Sequence, residues 1–300
     1  MMTERRAVLA LDIGGTKIAA GLISETGEIL AHRKVATVQS SLDESMNQLA
    51  GLIEEMSVGE AAIAGVGIAV PGWCNRRAGT VWAPNIAGWD HIPLERHLSE
   101  RVPFPVRVDS DRNAYVLGES WMGCAKGIDD VVFLAVGTGI GAGIISGGHL
   151  ITGHDDLSGC VGWYALQPEY QELYAAMGCF EAEASGKSIG RKAEERRLFS
   201  STPAVVEAAE RGEAAACALL DEAARYLGMG VANLINTLNP EMIVLGGGLF
   251  QQGDYLISAV TREFPRWSQP IAAERTRLVR SQLLEDAGLF GAARIAWDRI

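Results

Sequence analysis

From Leu9 to Lys17 the chain reads Leu-Ala-Leu-Asp-Ile-Gly-Gly-Thr-Lys, an apolar run of strand length that ends in an acid and two glycines. Such a run predicts a buried strand that delivers Asp12 to a tight turn at its tip. Gly14 and Gly15 carry no Cβ, so Thr16 and the turn amides can close on a bulky anion. The design recurs at 131–136, another apolar strand, which runs into Gly137-Thr138-Gly139-Ile140-Gly141-Ala142-Gly143. Either turn alone is as compatible with a plain hairpin as with a phosphate cradle. Two strand-then-Gly-Thr turns in one chain fit two jaws around one polyphosphate.

The totals narrow the partners. Three hundred residues with 48% apolar content allow two domains, each with a sizeable core. A net charge of -11 argues against nucleic acid or an anionic membrane as the main partner, since both attract excess Lys and Arg. Charge or glycine breaks every apolar run well short of the roughly 20 residues that span a bilayer. No charged-then-apolar leader precedes the first strand, so a soluble, cytoplasmic protein is expected. Cys74, Cys124, Cys160, Cys179 and Cys217 are odd in number, widely spaced and without a C-x-x-C pair, which fits reduced thiols better than a disulfide framework.

In order along the chain, residues 7–11, 18–23 and 28–36 read as a meander of three strands, with turn residues at 25–27. Residues 43–56 place Met46, Leu49, Leu52, Ile53 and Met56 at helical spacing behind an acidic first turn. A strand over 62–70 stops at Pro71-Gly72, and a hairpin over 77–82 follows. A short helix at 94–101 leads to a strand over 106–108, after which Ser110 or Asp111 can cap a helix reaching about Ala125. This is one α/β layer structure.

The strand over 131–136 and a meander to 152 then repeat the opening order, which predicts an internally duplicated architecture. Residues 187–197 are strongly charged and read as a solvated helix face. Helices over 203–210 and 213–238 follow, the second with a long apolar face halted at Asn239-Pro240. A buried strand over 242–245 then ends in a third glycine turn, Gly246-Gly247-Gly248. A helix from Tyr255, a strand near Leu278 and a closing helix from Leu289 finish the chain. Two domains are expected, 1–120 completed by 289–300, and 121–288.

Phosphoryl transfer requires phosphate cradles, a divalent ion, an aligned acceptor oxygen and closure against water. The Gly-Thr turns supply cradles, and the turn at Gly246, Gly247 and Gly248 has room for a nucleoside face. Asp12 suits Mg2+ or its water shell. Asp111, between a strand tip and a helix start, is the candidate general base; a plain helix cap is the competing reading of the same carboxylate.

These residues carry a resemblance. Asp12-Ile13-Gly14-Gly15-Thr16-Lys17, Val70-Pro71-Gly72, Pro84-Asn85 with Trp89, Asp111-Arg112-Asn113-Ala114 with Leu117-Gly118-Glu119, Gly137 to Gly143, Gly178-Cys179-Phe180-Glu181, Ala184-Ser185-Gly186, Gly246 to Gly248 and Asp286-Ala287-Gly288-Leu289-Phe290-Gly291-Ala292-Ala293 together resemble the ROK (repressor, open reading frame, kinase) sugar kinases. The ordered set spans nearly the whole chain. It implies a duplicated RNase H-like (actin/hexokinase-type) α/β fold around a central cleft. It also implies ATP with Mg2+, transfer to a hexose or hexosamine hydroxyl, usually on carbon 6, and a homodimer. Carried over by position, Asp111 is the base and Glu181 a sugar contact, and Gly72 and Asn85 lie on sugar-side loops. Gly14, Gly15, Thr16, Lys17, Gly137, Thr138, Gly139, Gly246, Gly247 and Gly248 fall on the nucleotide side.

The departures are specific. Ser110 stands where the family usually has Asn, and Cys160-Val161-Gly162-Trp163 replaces Glu-x-Gly-His, so Ser110, Cys160 and Trp163 join the expected substrate-side residues. Of the Cys-x-Cys-Gly-x-x-Gly-Cys zinc run only Cys179 survives. One thiol cannot build a four-ligand structural site, so no zinc is expected; a distorted site from His154, Cys160 and Cys179 is the alternative. Losing two polar contacts points to an altered acceptor, with Trp163 either an apolar platform for a ring face or filler for the missing loop. The residues and the resemblance together imply an ATP-dependent kinase of a hexose or N-acylhexosamine; a cyclitol or other polyol kinase and a non-catalytic sugar-binding ROK protein are the alternatives. A ROK repressor is disfavoured because only a few residues precede the first strand, leaving no room for a DNA-reading domain.

Overall fold

The computed structural model describes residues 6–59, 61–251 and 253–298. The chain divides into two compact units, one running to Gly127 and adding Thr152–Ser158 and the segment from Glu285, the other comprising Ile128–Ile151 and Gly159–Leu284.

In the first unit the strands are β1 (Arg6–Ile13), β2 (Lys17–Ser24), β3 (Ile29–Ala36), β4 (Ala62–Val70), β5 (Trp73–Asn75), β6 (Thr80–Trp82) and β7 (Val106–Ser110). Five of them form one sheet in the order β3-β2-β1-β4-β7, and β5 and β6 form a small hairpin that begins at Trp73, four residues before the expected 77–82. β1 to β3 are the predicted antiparallel meander, whereas β4 and β7 run parallel to β1. Alternation divides the two faces. Leu9, Leu11 and Ile13 pack with Met46, Leu49 and Ile53 of the helix Leu42–Met56 in one buried cluster. The opposite face receives the helix Ala287–Trp297, which starts two residues earlier than the sequence indicated. That face is lined by small residues because the helix backbone comes very close: a Cβ on Gly67 would stand 1.8 Å from the Ala292 carbonyl oxygen.

The second unit repeats the order with β8 (Val131–Val136), β9 (Ile140–Ser146), β10 (His149–Leu150), β11 (Met242–Gly246) and β12 (Arg277–Arg280), arranged β10-β9-β8-β11-β12. Again the first strands are antiparallel and the last two parallel to the central one. Its core gathers around the helix Ala214–Leu238, which buries Leu219, Leu220, Leu227, Val231, Leu234 and Ile235 and ends at Asn239 in the left-handed region, φ 47°. The stretch 157–183, without a clear period in sequence, forms a 3-10 turn at Val161–Trp163 and short helices Tyr174–Met177 and Cys179–Ala184.

One expectation is corrected. The helix Gly186–Glu195 is not simply a solvated face: Lys192 is largely buried, with its ammonium 2.7 Å from Glu183 and 2.8 Å from Glu222. Tyr174 donates its hydroxyl proton to the same Glu183 at 2.6 Å, so that carboxylate is held from two sides. Charge counting along the sequence could not foresee this, because the acceptors sit on two other helices, Glu183 nine residues before Lys192 and Glu222 thirty after it.

Gly291 offers a sharp test of the helix packing. In an open helix, Gly→Ala stabilises by about 1 kcal/mol. Here the new Cβ would sit 1.8 Å from the Ala114 carbonyl oxygen. Gly291→Ala is therefore expected to lower unfolding stability by about 2 kcal/mol or more in urea denaturation; an unchanged or raised midpoint would contradict this packing.

Candidate active site

In the first unit the carboxyl ends of three parallel strands lie side by side, with Asp12 paired to Ala69, and Ala69 to Asp109. The crevice outside such ends is where open α/β sheets bind ligands. Asp12 ends its strand beside the start of the helix Ala287–Trp297, so close that a Cβ on Gly288 would meet its Oδ2 at 2.3 Å. The turn after it is braced from outside: Gly14 donates to the Lys17 carbonyl at 2.8 Å, and Thr37 donates its hydroxyl proton to the Gly14 carbonyl at 2.7 Å. Gln39 links the Gly15 carbonyl to the loop at 85–87. Gly15 is needed for that loop as much as for any ligand, since its Cβ would press on the Asn85 carbonyl oxygen at 3.3 Å. Thr16 and Lys17 are exposed, and the Lys17 ammonium pairs with Glu285 at 3.2 Å.

Asp111 is the first residue of the helix Asp111–Met122, yet it is not the cap. Ser110 takes that role by accepting the Asn113 N–H, which leaves the Asp111 carboxylate with the Arg112 N–H at 2.7 Å and the Tyr115 hydroxyl. Burial pushes Asp111 up to about 6, against the Arg112 guanidinium and these hydrogen bonds. Asp12 is pushed further, to about 7, by burial first and then by the negative charge of Asp111, with Lys17 pulling the other way. Two adjacent carboxyls poised near neutrality can hold a hydrated cation and exchange a proton with a hydroxyl.

The sequence reading missed Asp109. It is buried, accepts from Asn113 Nδ2 at 2.7 Å, and pairs with Arg76 at 2.6 Å. Arg76 also reaches Asp156 at 3.5 Å, and its own N–H donates to Asp156 at 2.9 Å. Trp73 donates its indole N–H to the Asp155 carbonyl at 2.6 Å. These contacts fasten Thr152–Ser158 to the β5–β6 hairpin. The only hint was the Asp109-Ser110-Asp111 pair of acids at a strand end. Gly72 sits at φ 95° with its Cβ position blocked by the Trp82 carbonyl oxygen at 2.2 Å, and Asn85 is exposed.

In the second unit Gly137 donates to the Gly139 carbonyl at 2.9 Å to close the β8–β9 turn. Glu181, expected on the acceptor side, accepts the Ile140 N–H at 2.8 Å and so braces this turn. Burial raises its pKa, countered by that hydrogen bond and by Lys187. Beside the turn opens a cavity of about 370 Å3 lined by Gly137, Thr138, Gly248 and Leu249 together with Lys187, Pro203 and Val206. Of the third glycine turn only Gly248 faces open space; Gly246 is packed behind Phe133, and Gly247 lies at φ 86° against Val136. Trp163 is 57% exposed on the 3-10 turn Val161–Trp163. Cys160 is half-buried, and buried Cys179 accepts the Leu166 N–H at 3.5 Å. Among the described residues no group of three or more His, Cys, Asp or Glu could hold a metal ion. No helix among them is long and apolar enough to cross a membrane.

Residues 8–299 match the model of the ROK family. The chain belongs to the ROK family. Among its ROK relatives, a glucokinase of Thermotoga maritima is 33% identical over 98% of both chains. An N-acetylmannosamine kinase of Escherichia fergusonii is 32% identical over 96% of this chain and 97% of its own. A ROK glucokinase of Streptomyces griseus, solved with glucose and AMPPNP, superposes with a TM-score of 0.83 at 32% identity, covering 97% and 99% of the two chains. The expected duplicated actin/hexokinase-type α/β fold is thus met both in these neighbours and in the repeated strand order.

The raised carboxyls give a test with a definite sign. A folded-state pKa of about 7 against the ordinary 3.8 means that folded Asp12 keeps a proton which the unfolded chain sheds, so stability falls as pH rises through that window. In metal-free buffer Asp12→Asn is expected to unfold at a higher temperature than the parent protein at pH 7.5, with the difference shrinking toward pH 4. A variant no more stable than its parent at pH 7.5 would refute the assignment.

Proposed function

We propose that this ROK protein transfers the terminal phosphoryl group of ATP to a hydroxyl, the one on carbon 6, of a hexose or N-acylhexosamine. The observation that carries the reading is the pairing of Asp12 and Asp111 at the carboxyl ends of parallel strands in a chain that matches sugar kinases along its length. Asp111 accepts the proton of the attacking hydroxyl; its pKa of about 6 leaves it mostly ionised at neutral pH, close enough to take a proton and return it to solvent. Asp12 suits Mg2+, a hard cation that keeps most of its waters and asks for one or two carboxylates beside phosphate oxygens; the bound ion supplies positive charge that offsets both acids and the phosphates. Each unit by itself carries a glycine turn whose backbone amides suit phosphate oxygens, Gly14, Gly15 and Thr16 in the first and Gly137, Thr138 and Gly139 in the second. The cavity beside Gly248 has the volume of a small-molecule site and takes the nucleoside.

The acceptor is a hexose or its N-acyl amine because relatives named for glucose and for N-acetylmannosamine stand at nearly equal identity. Trp163, held in the open, supports a ring face or an acyl group there. A cyclitol is the second reading, favoured by Cys160 and Trp163 in place of the usual Glu and His.

The test is a coupled ADP-release screen across hexoses, amino sugars, N-acyl amino sugars and cyclitols, run with and without a zinc chelator. One hexose or N-acylhexosamine should stand out, with turnover indifferent to chelation, and product NMR should locate phosphate on carbon 6. Asp111→Asn should lose about 100-fold or more in kcat while still binding nucleotide. A preferred cyclitol would replace the acceptor assignment, and near-normal turnover of Asp111→Asn would remove the base.

A further inference from the structure

The helix Gly186–Glu195 carries several cations with different fates. Lys192 is enclosed between Glu183 and Glu222, and Arg191 pairs with Glu195 at 2.9 Å. Lys187 is exposed, and among the described residues no carboxylate lies within ion-pairing distance of its ammonium. It lines the cavity beside Gly137 and Thr138, and every other lining residue is uncharged. The Ser185 cap and two backbone contacts fix its position: Gly186 donates to the Gly137 carbonyl at 2.7 Å, and Thr202 donates its hydroxyl proton to the Gly186 carbonyl at 2.6 Å. The Lys187 stem is thereby tied to the β8–β9 turn while its head stays free to move.

The charge balance of the turn gives that head a task. Glu181 braces the turn from behind, with Oε2 only 2.6 Å from where a Gly139 Cβ would be. An anion seated on the Gly137 and Thr138 amides therefore approaches a carboxylate already in place. A backbone cradle offers only partial charges, so a multiply charged anion there needs a full cation nearby. Lys187 already acts electrostatically on Glu181, which places its ammonium within range of that spot.

We propose that Lys187 is the phosphate ligand of this cavity, pairing with the outer phosphates of the donor so that the site ranks adenine nucleotides by their phosphate charge. The inference rests on the kinase reading and names a residue for donor choice that neither the glycine turns nor Asp12 supplies. Being long and unpaired, Lys187 can follow a phosphate chain of varying length, whereas the turn amides fix one phosphate only.

The experiment is isothermal titration of the intact protein with ATP, ADP and AMP in the presence of Mg2+, for the parent, Lys187→Met and Lys187→Arg. Lys187→Met keeps the stem and should fold normally at so exposed a position. One charge-assisted contact corresponds to a loss of about tenfold or more in ATP affinity. Lys187→Met should show that loss for ATP with AMP changed less than about twofold, a shallower dependence of ATP affinity on salt, and recovery of the preference in Lys187→Arg. An unchanged ratio of ATP to AMP affinity in Lys187→Met would overturn the inference while leaving the kinase reading intact. Equal losses for both nucleotides would overturn it too, since a change in pocket shape would then be at work. A parent protein that binds no adenine nucleotide would overturn the donor reading together with this inference.

Discussion

The constraint on which the first unit turns is the proximity of two acids that both resist ionisation. Asp12 and Asp111 are pushed toward neutrality chiefly by burial, and Asp12 would be easier to charge without Asp111 beside it. A fold selected only for stability would separate them or replace one. Here the sheet order places the carboxyl ends of β1, β4 and β7 in a row, and the glycine-lined face of that sheet lets the closing helix press its start onto Asp12. The cost of holding the acids is borne by tight packing elsewhere, a common arrangement where a site stores chemical potential.

The second unit uses the same strand order for a different end. Its glycine turn leads not to an acid but to a cavity, and its acid, Glu181, stands behind the turn as a brace. Duplication supplied the same frame twice, and side-chain changes at the strand tips divided the labour. The helix Cys179–Ala184 that carries Glu181 is itself held through Glu183 by Tyr174 and Lys192, so the brace has its own support.

Much of the architecture was legible because it is local. Strand alternation, the Asn239 stop and the repeated apolar-strand-then-glycine pattern each follow from neighbours in sequence. The place of Asp111 between a strand tip and a helix start was legible as well, though that Ser110 and not Asp111 caps the helix through the Asn113 N–H only the structure decides. The rest was hidden where residues distant in sequence meet. Arg76 joins Asp109 to Asp156 across long stretches of chain, and Lys192 finds Glu222 on another helix. Glycines carry two meanings at once: Gly246 and Gly247 read as ligand-facing, and the structure gives each a further reason to be small, a ring or a carbonyl at its Cβ position. A glycine reports that something is close without saying whether it is a ligand or the protein itself.

The path of the chain through its units has an evolutionary consequence. Thr152–Ser158 belongs to the first unit although the sequence on both sides of it belongs to the second, and the closing helix returns to the first after the second is complete. A gene split at Gly127 would thus strip the first half of the loop that engages Arg76 and of the helix that covers Asp12. A single cut in the gene therefore cannot release either unit whole, and a permutation that carried both returning segments along would be needed to do so.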